Sequence, residues 1–450
     1  MSMLTRAKLA LMLLAGLAAS PAQAALVSVE ICAKFQVNYQ EVGALLVHDP
    51  DLEGDYFYTN SNKRARGARI TVRGGSVPLT QYSGWEGTEG GCATFQLDTL
   101  ESYEVLVTTQ LLVNGNYASI RDNDTDDHSY AFPARHPNGS IVAGWSPSAS
   151  GTLHVHVAQH WATNASALAG FALARQNAGL ANKTFVIYVD QQNRCSGSCV
   201  RDGKVYLSAE GVDSRVIMAH ELGHAVDRKL TNRGSGLTDY DADPANCWTD
   251  TNGTAKGGSV GAHELISKEW QSAAIIEGWA HFYAAAVFND AADNDCGFVY
   301  YKEQAFGDPG DNGIGLSHQN VSGNTAISCE NGLSHLVAED ALHQLVDAYD
   351  YMGDYCEGTL ARRATEFDWL RFWWDFYQEE STVTFEDCAE IFSNAVTGVH
   401  IFPPAGPWDA DAGVNAPDNK KPGWRMWHSA VANGFQSEWE DHNEDHGVHR

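Results

Sequence analysis

Two histidines four residues apart, with a glutamate beside the first, are the groups in this 450-residue chain best suited to chemistry. They lie in Val216-Ile217-Met218-Ala219-His220-Glu221-Leu222-Gly223-His224-Ala225-Val226, an H-E-x-x-H pattern. On a helix, positions i and i+4 share a face, so both imidazoles can reach one metal ion. Zinc suits them, being tetrahedral and content with nitrogen and oxygen donors. Glu221 projects beside such an ion rather than at it, where it can take a proton from an activated water. A chance match with solvated histidines is the bland alternative. A catalytic zinc has three protein ligands and a water. Ile275-Ile276-Glu277-Gly278-Trp279-Ala280-His281-Phe282-Tyr283 offers the third in Glu277, 53 residues after His224. An acid in so apolar a stretch is costly unless it binds metal or pairs with a charge. An interior salt bridge is the other role open to it.

These residues need elements to hold them. The motif reads as a helix from an Asp213 or Ser214 cap to about Lys229, whose charge suits a helix C-terminus. An Ala-rich helix over 161–177 and strands over 184–189 and 204–208 precede it. If Val205-Tyr206-Leu207 is an edge strand beside the cleft, it can pair with an extended substrate. A polar insertion covers 231–266, and a second apolar helix over 268–288 carries Glu277. Two helices packed side by side would bring Glu277 to the histidines. Further helices are predicted over 332–349, 364–380 and 385–396. The last fifty residues read as irregular, with a short helix near 424–432.

Residues 25–135 look β-rich. Ala68–Arg73 alternates small or apolar with polar residues, and Asn114-Gly115-Asn116 is a turn after two short apolar runs. The fold class is therefore expected to be α+β. It would comprise a β-sandwich-like accessory domain (25–135), a zinc-binding catalytic subdomain (150–290), a helical C-terminal subdomain (291–400) and an irregular tail (401–450). The aromatic run Phe367–Trp374 has helical spacing and reads as a packed face rather than a sugar platform.

H-E-x-x-H followed by a downstream helix with E-G-x-A resembles the gluzincin metallopeptidases. The stretch His220 to Asp227, HELGHAVD, is similar to the anthrax lethal factor type of gluzincin domain. The resemblance covers roughly 150–290 and implies a zincin-like α+β catalytic domain. It implies His220, His224 and Glu277 as zinc ligands and Glu221 as general base and acid. The metzincin spacing is absent, since Asp227 and Leu230 stand where glycine and histidine are needed. In thermolysin-like enzymes an aspartate four residues after the ligand glutamate supports a ligand histidine; here that position is His281. His281 could instead bond a carboxylate or carbonyl, or serve as an alternative ligand. An oxyanion donor is also required. Tyr283, Tyr300, Tyr301, His335 and His343 are the candidates, and sequence does not choose among them.

A formal charge of −28 argues against nucleic acid and anionic membranes, both of which need lysine and arginine on the protein. Residues 1–24 read as a secretory signal peptide: Arg6 and Lys8, an apolar run from Leu9 to Ala19, then Ala22-Gln23-Ala24. No later stretch is apolar enough to insert in a membrane. All nine cysteines follow, which favours disulfides in a secreted or periplasmic protein and leaves one cysteine over. Cys32 with Cys92 and Cys195 with Cys199 are plausible pairs. The acidic stretch 121–128 could hold Ca2+, yet lacks the glycine and closing glutamate of an EF-hand loop, so a solvated loop is the plainer reading, as it is for 409–413. Together these features predict a secreted zinc endopeptidase acting on protein or peptide substrates. The alternatives are a zinc hydrolase of a narrow non-peptide or cell-wall amide, and a zinc-containing binding protein or adhesin. Oligomeric state is not readable.

Overall fold

The computed structural model describes residues 25–39, most of 60–288 and most of 352–448, together with a two-residue pairing of 47–48 with 56–57. The proposed signal segment, the helix expected over 332–349 and residues 123–127 and 411–413 of the acidic stretches lie outside the described residues. The protein is α+β, with helices packed on several sheets.

The first sheet is built on β1 (Leu26–Asn38), whose Val29, Ile31, Ala33, Phe35 and Val37 alternate into the core, as a half-buried strand requires. Its antiparallel neighbours are β2 (Asn60–Arg64) and, further along, a strand at Cys92–Asp98; on the other side it pairs in parallel with Gly151–Val157. In chain order the strands continue β3 (Ala68–Arg73), β4 (Leu79–Tyr82), β5 (Cys92–Asp98), β6 (Glu104–Val113), β7 (Asn116–Arg121), β8 (Ala131–Pro133) and β9 (Gly151–Val157). Cys32 and Cys92 face each other across β1 and β5 and are bridged. The two apolar runs expected after residue 104 form one strand, β6. It turns into β7 at Asn114 and Gly115, both with positive φ (50° and 74°), the conformation that makes Asn-Gly a hairpin turn.

Helix α1 (Trp161–Arg175) packs against β1 of the first sheet and against β6 and β7 of the second. Strands β10 (Thr184–Tyr188), β11 (Cys199–Arg201) and β12 (Lys204–Tyr206) then complete the second sheet, in the order β11-β12-β10-β7-β6-β3-β4. The parallel pairing of β7 with β10 crosses the division expected between 135 and 150. At the end of the region expected as the accessory domain β8 pairs with β6, and at the start of the region expected as the zinc-binding subdomain β9 pairs with β1. The β-rich N-terminal region and the region that carries the H-E-x-x-H helix therefore share their sheets and one hydrophobic core. The expected edge strand is also corrected: β12 lies between β10 and β11, and β11, antiparallel to β12, ends the ladder.

Short α2 (Ala209–Asp213) leads into α3 (Arg215–Thr231), the motif helix. The polar insertion contributes a hairpin of β13 (Ala245–Thr249) and β14 (Ala255–Ser259), and β15 (Ser267–Trp270) joins β13. Helix α4 (Gln271–Phe288) starts three residues later than expected because 267–270 extends to pair with β13 and with β16 (Arg363–Ala364). The guanidinium of Arg363 lies 3.6 Å from the Trp270 ring centre, which favours this strand over another helical turn.

Helices α5 (Glu366–Gln378), α6 (Phe385–Thr397), α7 (Pro422–Ala432) and α8 (Gln436–Asn443) close the molecule. The Phe367–Trp374 aromatics are core, as their spacing suggested: Phe367, Trp369, Phe372, Trp373 and Trp374 are fully buried. Helix α7 matches the short helix expected near 424–432, and the tail otherwise expected to be irregular also holds α8. Trp439 of α8 is buried against Phe372, Trp373 and Phe376 of α5, and His446 Nε2 lies 2.5 Å from Asp375 Oδ2. The reason is tertiary: α8 has little helical amphipathicity of its own, and one large ring anchors it. No described helix is long and apolar enough to cross a membrane.

Candidate metal centre

Helix α3 begins at Ser214, whose hydroxyl accepts from Ile217 N at 3.3 Å. It ends at Asn232 in the left-handed conformation, with Arg228 and Lys229 in its last turn, where cations complement the helix dipole. Val216, Ala219, Leu222 and Val226 are buried. His220 and His224 face outward from that packing, with side chains 15% and 12% exposed.

Helix α4 is buried almost all round, as its apolar sequence demands. Its close approach to α3 depends on Gly223: a Cβ there would lie 3.0 Å from Ala280 Cα and from Tyr283 Cβ. On the other side, a Cβ at Gly278 would overlap Trp369 Cβ of α5. The glycine before His224 and the glycine after Glu277 are thus the points where α3, α4 and α5 meet.

That packing brings three ligand atoms together. Nε2 of His220 and Nε2 of His224 are 3.1 Å apart, and Glu277 Oε2 is 3.2 Å from the first and 2.9 Å from the second. These residues form one of the two potential metal-binding groups among the described residues. The other comprises Glu30, Cys32 and Cys92, and its thiols are consumed by the disulfide. The donor set fits zinc. A tetrahedral ion with bonds of about 2.1 Å separates its ligand atoms by about 3.4 Å, close to the triangle observed. Two imidazoles and one carboxylate would also leave a fourth position open on such an ion. Glu221 follows His220 on the same helix and is 7% exposed.

His281 stands outside this group. Its Nε2 is 3.2 Å from Glu366 Oε2, and its ring centre is 4.2 Å from that of His220. Burial, reinforced by the neighbouring His220, pulls its pKa down to about 4 against the opposing pull of Glu366 and Glu277. It is therefore neutral at pH 7 and, protonated on Nε2, donates to Glu366. Of the two roles open to it in sequence, the geometry matches bonding to a carboxylate. It then braces the His220 ring through contact of the two rings.

Tyr283 donates its hydroxyl to the Gln176 carbonyl at 2.9 Å and packs edge-on to Phe385; burial pushes its phenol well above the usual range. Its proton is committed within the core. Tyr300, Tyr301, His335 and His343 lie outside the described residues. A residue the sequence reading passed over stands at the site instead: Tyr240, from the polar insertion, donates its hydroxyl to Glu277 Oε1. The available signal was faint, since Tyr240 is one of two aromatic residues in 231–266.

Comparison with protein-family models gives no match, and comparison with curated proteins gives none either. The candidate metal centre therefore rests on its own geometry.

Proposed function

We propose that this chain is a secreted zinc-dependent endopeptidase with a gluzincin-like metal centre. The observation that carries the reading is the convergence of His220, His224 and Glu277 from two packed helices, with the buried Glu221 carboxylate on the same helix turn. When bound, zinc supplies a Lewis acid that polarises the substrate carbonyl and makes water nucleophilic near pH 7. His220 and His224 hold it through Nε2 and Glu277 through Oε2. Glu221 accepts a proton from the attacking water on its carboxylate and returns it to the leaving amine. Burial raises the strength of every such electrostatic contact. An extended peptide can add to the ladder at β11, which packs beside α3. Two bridges, Cys32–Cys92 and Cys195–Cys199, and a further bonded cysteine, Cys356, agree with an oxidising compartment. Glu221 also weighs against a purely structural zinc site, which needs no base.

The test is zinc content with cleavage of casein and of a diverse peptide library, for wild type and Glu221→Gln. The expected result is one zinc per chain in both proteins and cleavage in wild type alone, with a loss of at least ~10²-fold in the variant. Folded wild type without zinc would refute the metal centre. Zinc in both with no cleavage would refute the peptidase and leave the narrow amide hydrolase or the binding protein.

A further inference from the structure

We infer that Tyr240 is a catalytic residue whose hydroxyl donates to the scissile carbonyl oxygen as that oxygen gains negative charge. The inference rests on the peptidase reading. Attack on an amide carbonyl places charge on one oxygen, and a preorganised donor aimed at that position lowers the barrier. Among the described residues, the other side chains assembled around the metal position offer little of this. Two imidazole nitrogens and a carboxylate oxygen point inward as ligands, Glu221 is an acceptor once ionised, and the His281 N–H and the Tyr283 O–H are directed to Glu366 and Gln176.

Tyr240 brings a hydroxyl to this place from outside the helices. Glu277 turns Oε2 to the two histidines and Oε1 to the Tyr240 phenol. The hydroxyl thus sits one carboxylate away from the metal position, beside the ligands rather than among them. The two partners differ in setting. The Glu277 side chain is 3% exposed, whereas Tyr240 is 43% exposed and belongs to the polar segment between α3 and β13. A phenol at the mouth of the site can turn from Oε1 to a substrate oxygen by rotation of an exposed side chain. A phenol also keeps its proton at neutral pH, so it arrives as a donor.

The rival role is purely positioning, with the phenol holding Glu277 in place as a ligand. Tyr240→Phe separates the two because it removes only the hydroxyl. Zinc affinity is read by competition with a chromogenic chelator, kcat and KM on the best-cleaved library peptide, and binding of a phosphinic dipeptide to the zinc-loaded proteins by calorimetry. The phosphinate presents tetrahedral anionic oxygens. The expected result is zinc affinity within threefold of wild type, kcat lower by ~10²–10³-fold with KM little changed, and phosphinate affinity lower by a similar factor. Unchanged kcat, unchanged phosphinate affinity, or a zinc affinity that falls in step with kcat would overturn the assignment. Wild type that cleaves no peptide fails the peptidase reading alone, because the phosphinate comparison still reads the hydroxyl.

Discussion

At the residue scale, the pair His281 and Glu366 joins the candidate metal centre to the core behind it. His281 lies at about 4 in the folded protein and returns to about 6.5 in the unfolded chain. Between these values the unfolded state binds a proton that the folded state refuses. Stability therefore rises with pH across this window and is lost as pH falls through it. For the metal-free protein, urea unfolding between pH 7 and pH 4 should show wild type losing about 3 kcal/mol more than His281→Asn. Parallel pH curves for the two proteins would remove burial of a neutral His281 as the cause. At this scale the two histidines and Glu221 could be read from spacing alone, because i and i+4 define a face. The partner of His281 could not, since Glu366 lies on another helix, 85 residues away.

At the element scale, two glycines set the distances that matter. Gly223 lets α3 meet α4, and Gly278 lets α4 meet α5. A methyl group at 278 meets Trp369 Cβ, an atom fixed to the α5 backbone, so the helices must part. Gly278→Ala should cost about 1–3 kcal/mol, measured by thermal or urea unfolding. Gly223→Ala should add a second effect. Separation of α3 from α4 withdraws Glu277 from the histidines, so zinc affinity should fall by at least tenfold in a chelator competition. Unchanged affinity would mean that Glu277 reaches its place independently of that contact. Helix α3 was readable to within two residues at its C-terminus, from its cap, its period and its basic last turn. The start of α4 was not, because β15 forms through pairing with two distant strands.

At the scale of the whole molecule, the C-terminal segment is part of the core that backs the candidate metal site. Trp439 seals the aromatic face of α5, and α5 presents Glu366 to His281 at its other end. Trp439→Ala should destabilise the protein by about 3–5 kcal/mol through a large cavity, read as a lowered urea midpoint. A cost below about 1 kcal/mol would show that the tail is only loosely attached. The sheets likewise join regions that composition divides, since β1 pairs with β9 and β7 with β10. Among the described residues, the buried Cys388 takes no part in a bridge.

Sequence alone determined what depends on near neighbours. The H-E-x-x-H face, a cap at Asp213 or Ser214, the turn at Asn114-Gly115 and the alternation of the strands all follow from local stereochemistry, and so does the burial of a helix as apolar as α4. Glu277 could be named as a candidate ligand because an acid in that helix needs a metal or a charged partner. Tertiary structure decided which distant groups meet: Glu277 with His224, Tyr240 with Glu277, His281 with Glu366, and Trp439 with α5. Those contacts join residues tens of positions apart in the chain. They are set by how helices and sheets pack together, which no short-range periodicity encodes.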